Sequence, residues 1–122
     1  MPVITLTTNV KLESDEAIKA FVLKLSEFSA KTIGKDENLF CVNYQYNPFL
    51  SFAGTFDPTI VLSVINLYST NAENAKVWSA AFWKFLQENL AVPKDRGYMS
   101  FVDHDPALLG VRGTTATELW GK

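Results

Sequence analysis

The sequence predicts an α+β domain in which two strand–helix–strand units share one four-stranded mixed sheet, with two helices on one face. Three observations predict it. Two stretches, about 15–33 and 72–89, carry apolar residues at helical spacing. Each is bracketed by short runs rich in β-branched and aromatic residues. The order strand, helix, strand therefore occurs twice within 122 residues. Each half can close as a right-handed crossover, which puts both helices on one side of the sheet and leaves the other side needing cover. A ferredoxin-like βαββαβ sandwich has the same element order, so order alone leaves both folds open.

Taken along the chain, the first strand runs from about Val3 to Thr8. Ser14 reads as a helix N-cap, with Asp15 and Glu16 in the first turn, where negative charge complements the helix dipole. Ile18, Phe21, Val22, Leu25 and Phe28 form the apolar face, and Gly34 suits the left-handed residue that ends such a helix. A second strand is expected from about Leu39 to Tyr46, stopped by Pro48. The loop from Phe49 to Pro58 holds Phe49, Phe52 and Phe56, too apolar for free solvation, so it is expected to pack on the domain or on a neighbouring subunit.

Thr59 to Tyr68 is nearly continuous in β-favouring residues, as for a central strand buried on both faces. Thr70 and Glu73 suggest a capping box for the second helix, whose inner face carries Trp78, Ala81, Phe82, Phe85 and Leu86. A fourth strand follows over about Gly97 to Asp103. The tail, with Pro106, Gly110 and Gly113, allows a turn and a last short strand around Thr115 to Leu119.

Composition narrows the function classes. A 122-residue chain with 48% hydrophobic residues suits a single domain, 1–122, able to bury its own core. Its net charge of −2 gives no electrostatic footprint for nucleic acid or an anionic membrane. The apolar start alternates with threonines, unlike a leader or a membrane span, so a cytoplasmic protein is expected. One cysteine, Cys41, excludes an internal disulfide and is expected in the core. His104, between two aspartates, has no second histidine to complete a zinc site and reads as a turn after a strand.

Pro2 carries the chemical interest. An initiator methionine ahead of a small residue is usually removed, and removal would leave Pro2 as a terminal secondary amine. An ordinary α-amino group titrates near roughly pH 8, and burial or a nearby cation lowers that value into the range of a general base. On its own, Pro2 also suits the start of an edge strand, where a missing N–H is tolerated.

Four stretches in order decide how that is read: Pro2 with the strand ending Thr8-Asn9-Val10; Ile33-Gly34-Lys35; Phe52-Ala53-Gly54-Thr55 with Asp57-Pro58; and Asp95-Arg96-Gly97-Tyr98. Over about residues 2–110 the chain resembles the macrophage migration inhibitory factor and D-dopachrome tautomerase family of the tautomerase superfamily. The resemblance implies a homotrimer whose sheets face a central channel, and a cofactor-independent tautomerase acting on an α-keto acid or its enol. It implies Pro2 as the base, Lys35 for the substrate carboxylate, the backbone of Leu67 beside the substrate, Val3 in the apolar wall, and Tyr98 reaching in from a neighbouring subunit. Family members that leave cells without a signal peptide also make secretion and a protein receptor part of the expectation.

Departures from the family pattern limit what carries over. Ser100 stands where an asparagine would follow the tyrosine by two places, Leu39 replaces a tyrosine after the lysine, and Val111 and Ala116 replace aromatics at the pocket rim. Arg112 offers a second cation or a plain surface charge. Thr59-Ile60-Val61-Leu62 stands in place of a Cys-x-x-Cys motif, so thiol oxidoreductase chemistry is not expected. A catalytically weak signalling or binding protein of the same fold is the alternative.

Overall fold

A computed structural model describes residues 1–121. The chain runs β1 (Val3–Thr8), α1 (Asp15–Ile33), β2 (Cys41–Tyr46), β3 (Ile60–Asn66), α2 (Ala72–Leu90) and β4 (Gly97–Asp103). A tail of β5 (Gly110–Val111), β6 (Thr114–Thr115) and α3 (Ala116–Trp120) follows. The four long strands form one sheet in the order β2-β1-β3-β4. β1 pairs with β2 and β3 with β4 in parallel, while β1 and β3 are antiparallel. A split-βαβ sandwich would separate each parallel pair by another strand. Direct pairing within each half rules it out.

Helix α1 starts where Ser14 accepts a hydrogen bond from the Ala17 N–H, and it ends at Gly34 with φ 80°. Helix α2 corrects the expected cap. Its N-cap is Asn71, whose side chain accepts from the Asn74 N–H, and Thr70 instead accepts from Asn66. One sheet face, carrying Ile4, Leu6, Leu62 and Val64, is buried with Leu25 of α1 and with Trp78, Phe82 and Leu86 of α2. Between the helices, Phe28 stacks on Phe85 at 4.4 Å and meets Phe82 edge-on at 5.4 Å.

The opposite face is open, which corrects the reading of β3 as buried on both faces. Val61 is 46% exposed, and Ile60, Leu62, Val64 and Asn66 take the inner side. The same alternation corrects Cys41. With Val42 and Tyr44 turned toward the core, Cys41, Asn43 and Gln45 project outward on an edge strand, and the thiol is exposed. Strand β2 also begins two residues later than expected, because Glu37–Leu39 forms a 3-10 turn.

The tail differs most. The segment from Ala116 to Trp120 is helical rather than a strand, capped by Thr115 accepting from the Glu118 N–H and closed by Gly121. Of the three loop phenylalanines, Phe52 packs on Tyr98 at 5.6 Å, whereas Phe49 and Phe56 are exposed. The loop is pinned from both halves of the fold. Asn9 donates to the carbonyls of Leu50, Phe56 and Asp57 and accepts from the Thr59 N–H. Arg96 donates to the carbonyls of Pro58, Asp57 and Phe52. Gly97 opens β4 against Ile60, where an added Cβ would lie 2.3 Å from the Ile60 carbonyl oxygen.

Candidate active site

The N-terminus, the end of α1 and the end of β3 meet at one cavity. Pro2 is buried, and its carbonyl accepts from the Cys41 N–H at 3.1 Å, which fixes the chain immediately before β1. Gly34 is left-handed, and the N–H groups of Gly34 and Lys35 both close on the Ala30 carbonyl. That closure turns Lys35 off the helix end toward the sheet. Its Nζ donates to Asn66 Oδ1 at 2.8 Å and to the Leu67 carbonyl, and lies 5.9 Å from the centre of the Tyr68 ring.

Asn66 is fully buried and satisfied at both ends of its amide, since its Nδ2 donates to the hydroxyls of Ser69 and Thr70. A buried amide paired in this way is rigid, because breaking either side leaves a polar group unsatisfied. Lys35 is thus held by a fixed acceptor rather than by solvent.

Met1, Lys35, Leu39, Tyr68 and Trp120 line the cavity, about 370 Å³ in volume. The walls are apolar and aromatic, with the terminal amine and the Lys35 ammonium as the nitrogen groups. Burial, and then the Lys35 charge, hold the Met1 amine down from 8.0 to about 6. An amine at this mouth is therefore largely neutral at physiological pH and can accept a proton. Pro2 itself, behind Met1, has an amide nitrogen.

The expected site residues divide into two groups. Lys35, Leu67 and Leu39 come together, with the Leu67 carbonyl on Lys35 and Leu39 in the cavity wall, and Pro2 directly follows the cavity-lining Met1. Tyr98 and Ser100 do not join them within one chain. Tyr98 pairs with Val61 and Ser100 with Ser63, so Tyr98 lies five residues along β3 from Asn66, roughly 17 Å at ~3.3 Å per residue. Tyr98 is 74% exposed and lines a second depression with Phe52, Ile60 and Gly97.

Val3 lies on the open sheet face in the register row of Cys41 and Ile65. Arg112 sits at the tip of the β5–β6 turn and is not among the cavity-lining residues. Ala116 is buried and Val111 is in β5. The rim nevertheless has aromatics, Tyr68 and Trp120. Thr115 and Glu118, three apart, are a helix-start signal that could have placed Trp120. Nothing in the local sequence marks Tyr68.

His104 follows β4, its backbone N–H bonded to the Asn66 carbonyl at 3.2 Å. Among the described residues no group of three or more His, Cys, Asp or Glu side chains converges on a metal-sized site. Among them also, no helix is long and apolar enough to cross a membrane.

Comparison with known proteins matches residues 1–117 to the profile of the macrophage migration inhibitory factor (MIF) family. The chain belongs to the MIF family. It is 30% identical over 118 residues to an MIF-like protein of Caenorhabditis elegans, covering 97% of each chain. It is 31% identical over 121 residues to D-dopachrome decarboxylase-B of Xenopus laevis, covering 98% of this chain and all of that one. Among solved structures, MIF of Trichinella spiralis superposes with a TM-score of 0.83 at 24% identity, over 93% of this chain and 98% of that one. The MIF homologue of Prochlorococcus marinus gives 0.83 at 25% identity, over 93% and 97%. The mixed sheet with its two helices is therefore the MIF fold.

Proposed function

We propose that this MIF-family chain, as a single domain, is a cofactor-independent keto–enol tautomerase for aryl α-keto acids of the phenylpyruvate type. One observation carries the reading: a terminal amine of lowered basicity and a fixed ammonium share one apolar cavity. Removal of Met1 would make Pro2, the next residue, the terminal amine. The Pro2 nitrogen takes a proton from the carbon next to the substrate carbonyl, electron density moves to the carbonyl oxygen, and the proton is delivered to that oxygen, giving the enol and restoring the free amine. Lys35 binds the carboxylate, and Leu67 fixes Lys35 through its carbonyl. Tyr98 and Ser100 act on the site of a neighbouring subunit in a homotrimer. The exposed Phe49, Phe56 and Tyr98 support such an assembly, because a lone subunit leaves them in water.

The second reading is a signalling or binding protein, made in the cytoplasm and exported to a protein receptor, that uses the same surface without turnover. The replacement of family pocket residues by Leu39, Ser100, Val111 and Ala116 favours it. Phenylpyruvate tautomerisation by mass-verified samples with and without Met1 separates the two. The enzyme reading expects activity only after Met1 removal, and a large loss in Pro2→Gly with the fold intact. Equal rates with and without Met1 exclude Pro2 as the base. A monomer at micromolar concentration by light scattering excludes the shared site.

A further inference from the structure

Among the described residues, four non-glycine residues have positive φ: Ala53, Tyr68, Ala91 and Arg112. Turn and cap geometry accounts for three. Ala53-Gly54 and Arg112-Gly113 are the central pairs of tight turns in which both residues need positive φ, and Ala91 is the left-handed cap of α2. Tyr68, at φ 74°, has no such explanation. There the Cβ of an L-residue crowds the following carbonyl, and a bulky side chain is an outlier. Glycine would make the same bend without strain.

What the position gains is a ring at the cavity. Tyr68 follows Leu67, whose carbonyl holds Lys35, and its ring lies 5.9 Å from the Lys35 ammonium. It lines the cavity with Leu39 and Trp120 and keeps 45% of its surface exposed, so it is not there to fill the core. Strained residues that persist at a cavity are retained for what their side chains do there.

We infer that Tyr68 is a specificity-determining residue: its ring is the wall against which the aryl group of a carboxylate ligand packs while Lys35 holds the carboxylate. This rests on the tautomerase reading for the substrate's identity, but not for the selectivity between carboxylates. An aromatic contact of this kind accounts for about tenfold in affinity.

The test uses Met1-free protein, with phenylacetate and butyrate as probes in titration calorimetry. Tyr68→Gly is expected to keep or raise the melting temperature and to weaken phenylacetate about tenfold, with butyrate changed less than about twofold. Tyr68→Phe is expected to keep the selectivity. In turnover, Tyr68→Gly should raise KM for the phenylpyruvate enol while leaving kcat unchanged. Equal weakening of both probes, no weakening of either, or a lowered melting temperature in Tyr68→Gly overturns the inference. A parent protein that prefers phenylacetate yet does not tautomerise phenylpyruvate removes the enzyme reading and leaves Tyr68 standing. Turnover with an unchanged probe ratio in Tyr68→Gly does the reverse.

Discussion

Lys35, one residue past the cap of α1, and Asn66, the last residue of β3, are joined by an ammonium-to-amide hydrogen bond of 2.8 Å. The bond ties the end of the first helix to the end of β3 in the second half. Asn66→Ala would remove an acceptor from Lys35 and a donor from two hydroxyls in a fully buried place, costing about 2–3 kcal/mol in chemical denaturation. Asn66→Asp keeps the acceptor but adds an anion beside Lys35. It should retain most of the stability and weaken phenylacetate binding by at least about tenfold, because the ammonium is already neutralised.

Lys35→Ala is expected to separate charge recognition from shape recognition. Binding of an aryl carboxylate should fall by roughly ten- to a hundredfold, the scale of a charge-assisted hydrogen bond. Binding of the matching methyl ester should change little. Equal losses for both, read by calorimetry, would show that Lys35 shapes the cavity without holding the carboxylate.

The terminal amine gives a pH prediction with a definite sign. With Met1 present, burial and Lys35 lower its basicity to about 6 from 8.0. Only the neutral amine is acylated, so selective N-terminal acylation should rise with pH to a midpoint near 6, below an unhindered terminus. Lys35→Ala should move the midpoint up but not fully back, because burial is the larger cause. The unfolded chain binds the proton more readily between about 6 and 8. This group's contribution to stability is therefore highest above pH 8 and declines as pH falls through 6. A midpoint near 8 in the folded protein would contradict the cavity's effect on the amine.

Ser29, fully buried in α1, has a hydroxyl with no hydrogen-bond partner among the described residues. Ser29→Ala removes an unsatisfied polar group and raises helix propensity, so it should stabilise by about 1 kcal/mol. A melting curve shifted upward by a few degrees without change in ligand affinity is the expected record. A downward shift would reveal an unseen partner for the hydroxyl.

Much of the fold could be read from residues whose neighbours decide them. Ser14 with Asp15 and Glu16, and Gly34 after Ile33, mark both ends of α1, because caps are local chemistry. Cys41 and Val61 were misjudged because composition says that a residue is apolar, while its sheet face depends on register and on whether a second layer covers it. The tail departs from the strand expected around Thr115 to Leu119 because Thr115 accepts from the Glu118 N–H and caps a helix. Lys35 was found through the resemblance. Asn66 and Tyr68 were not, because their roles lie in contacts across the fold that no local pattern encodes.

The Asp57 carbonyl accepts from Asn9 Nδ2 and from Arg96 Nη2, each at 3.0 Å. Asn9 follows β1 and Arg96 precedes β4, so a single oxygen fastens one repeat to the other. Opening either repeat breaks its own bond to this oxygen. The antiparallel β1–β3 ladder already joins the two halves along the sheet. Fastened here as well, they form one cooperative unit, and amides of β1 and β4 are expected to share a common opening free energy in native-state hydrogen exchange.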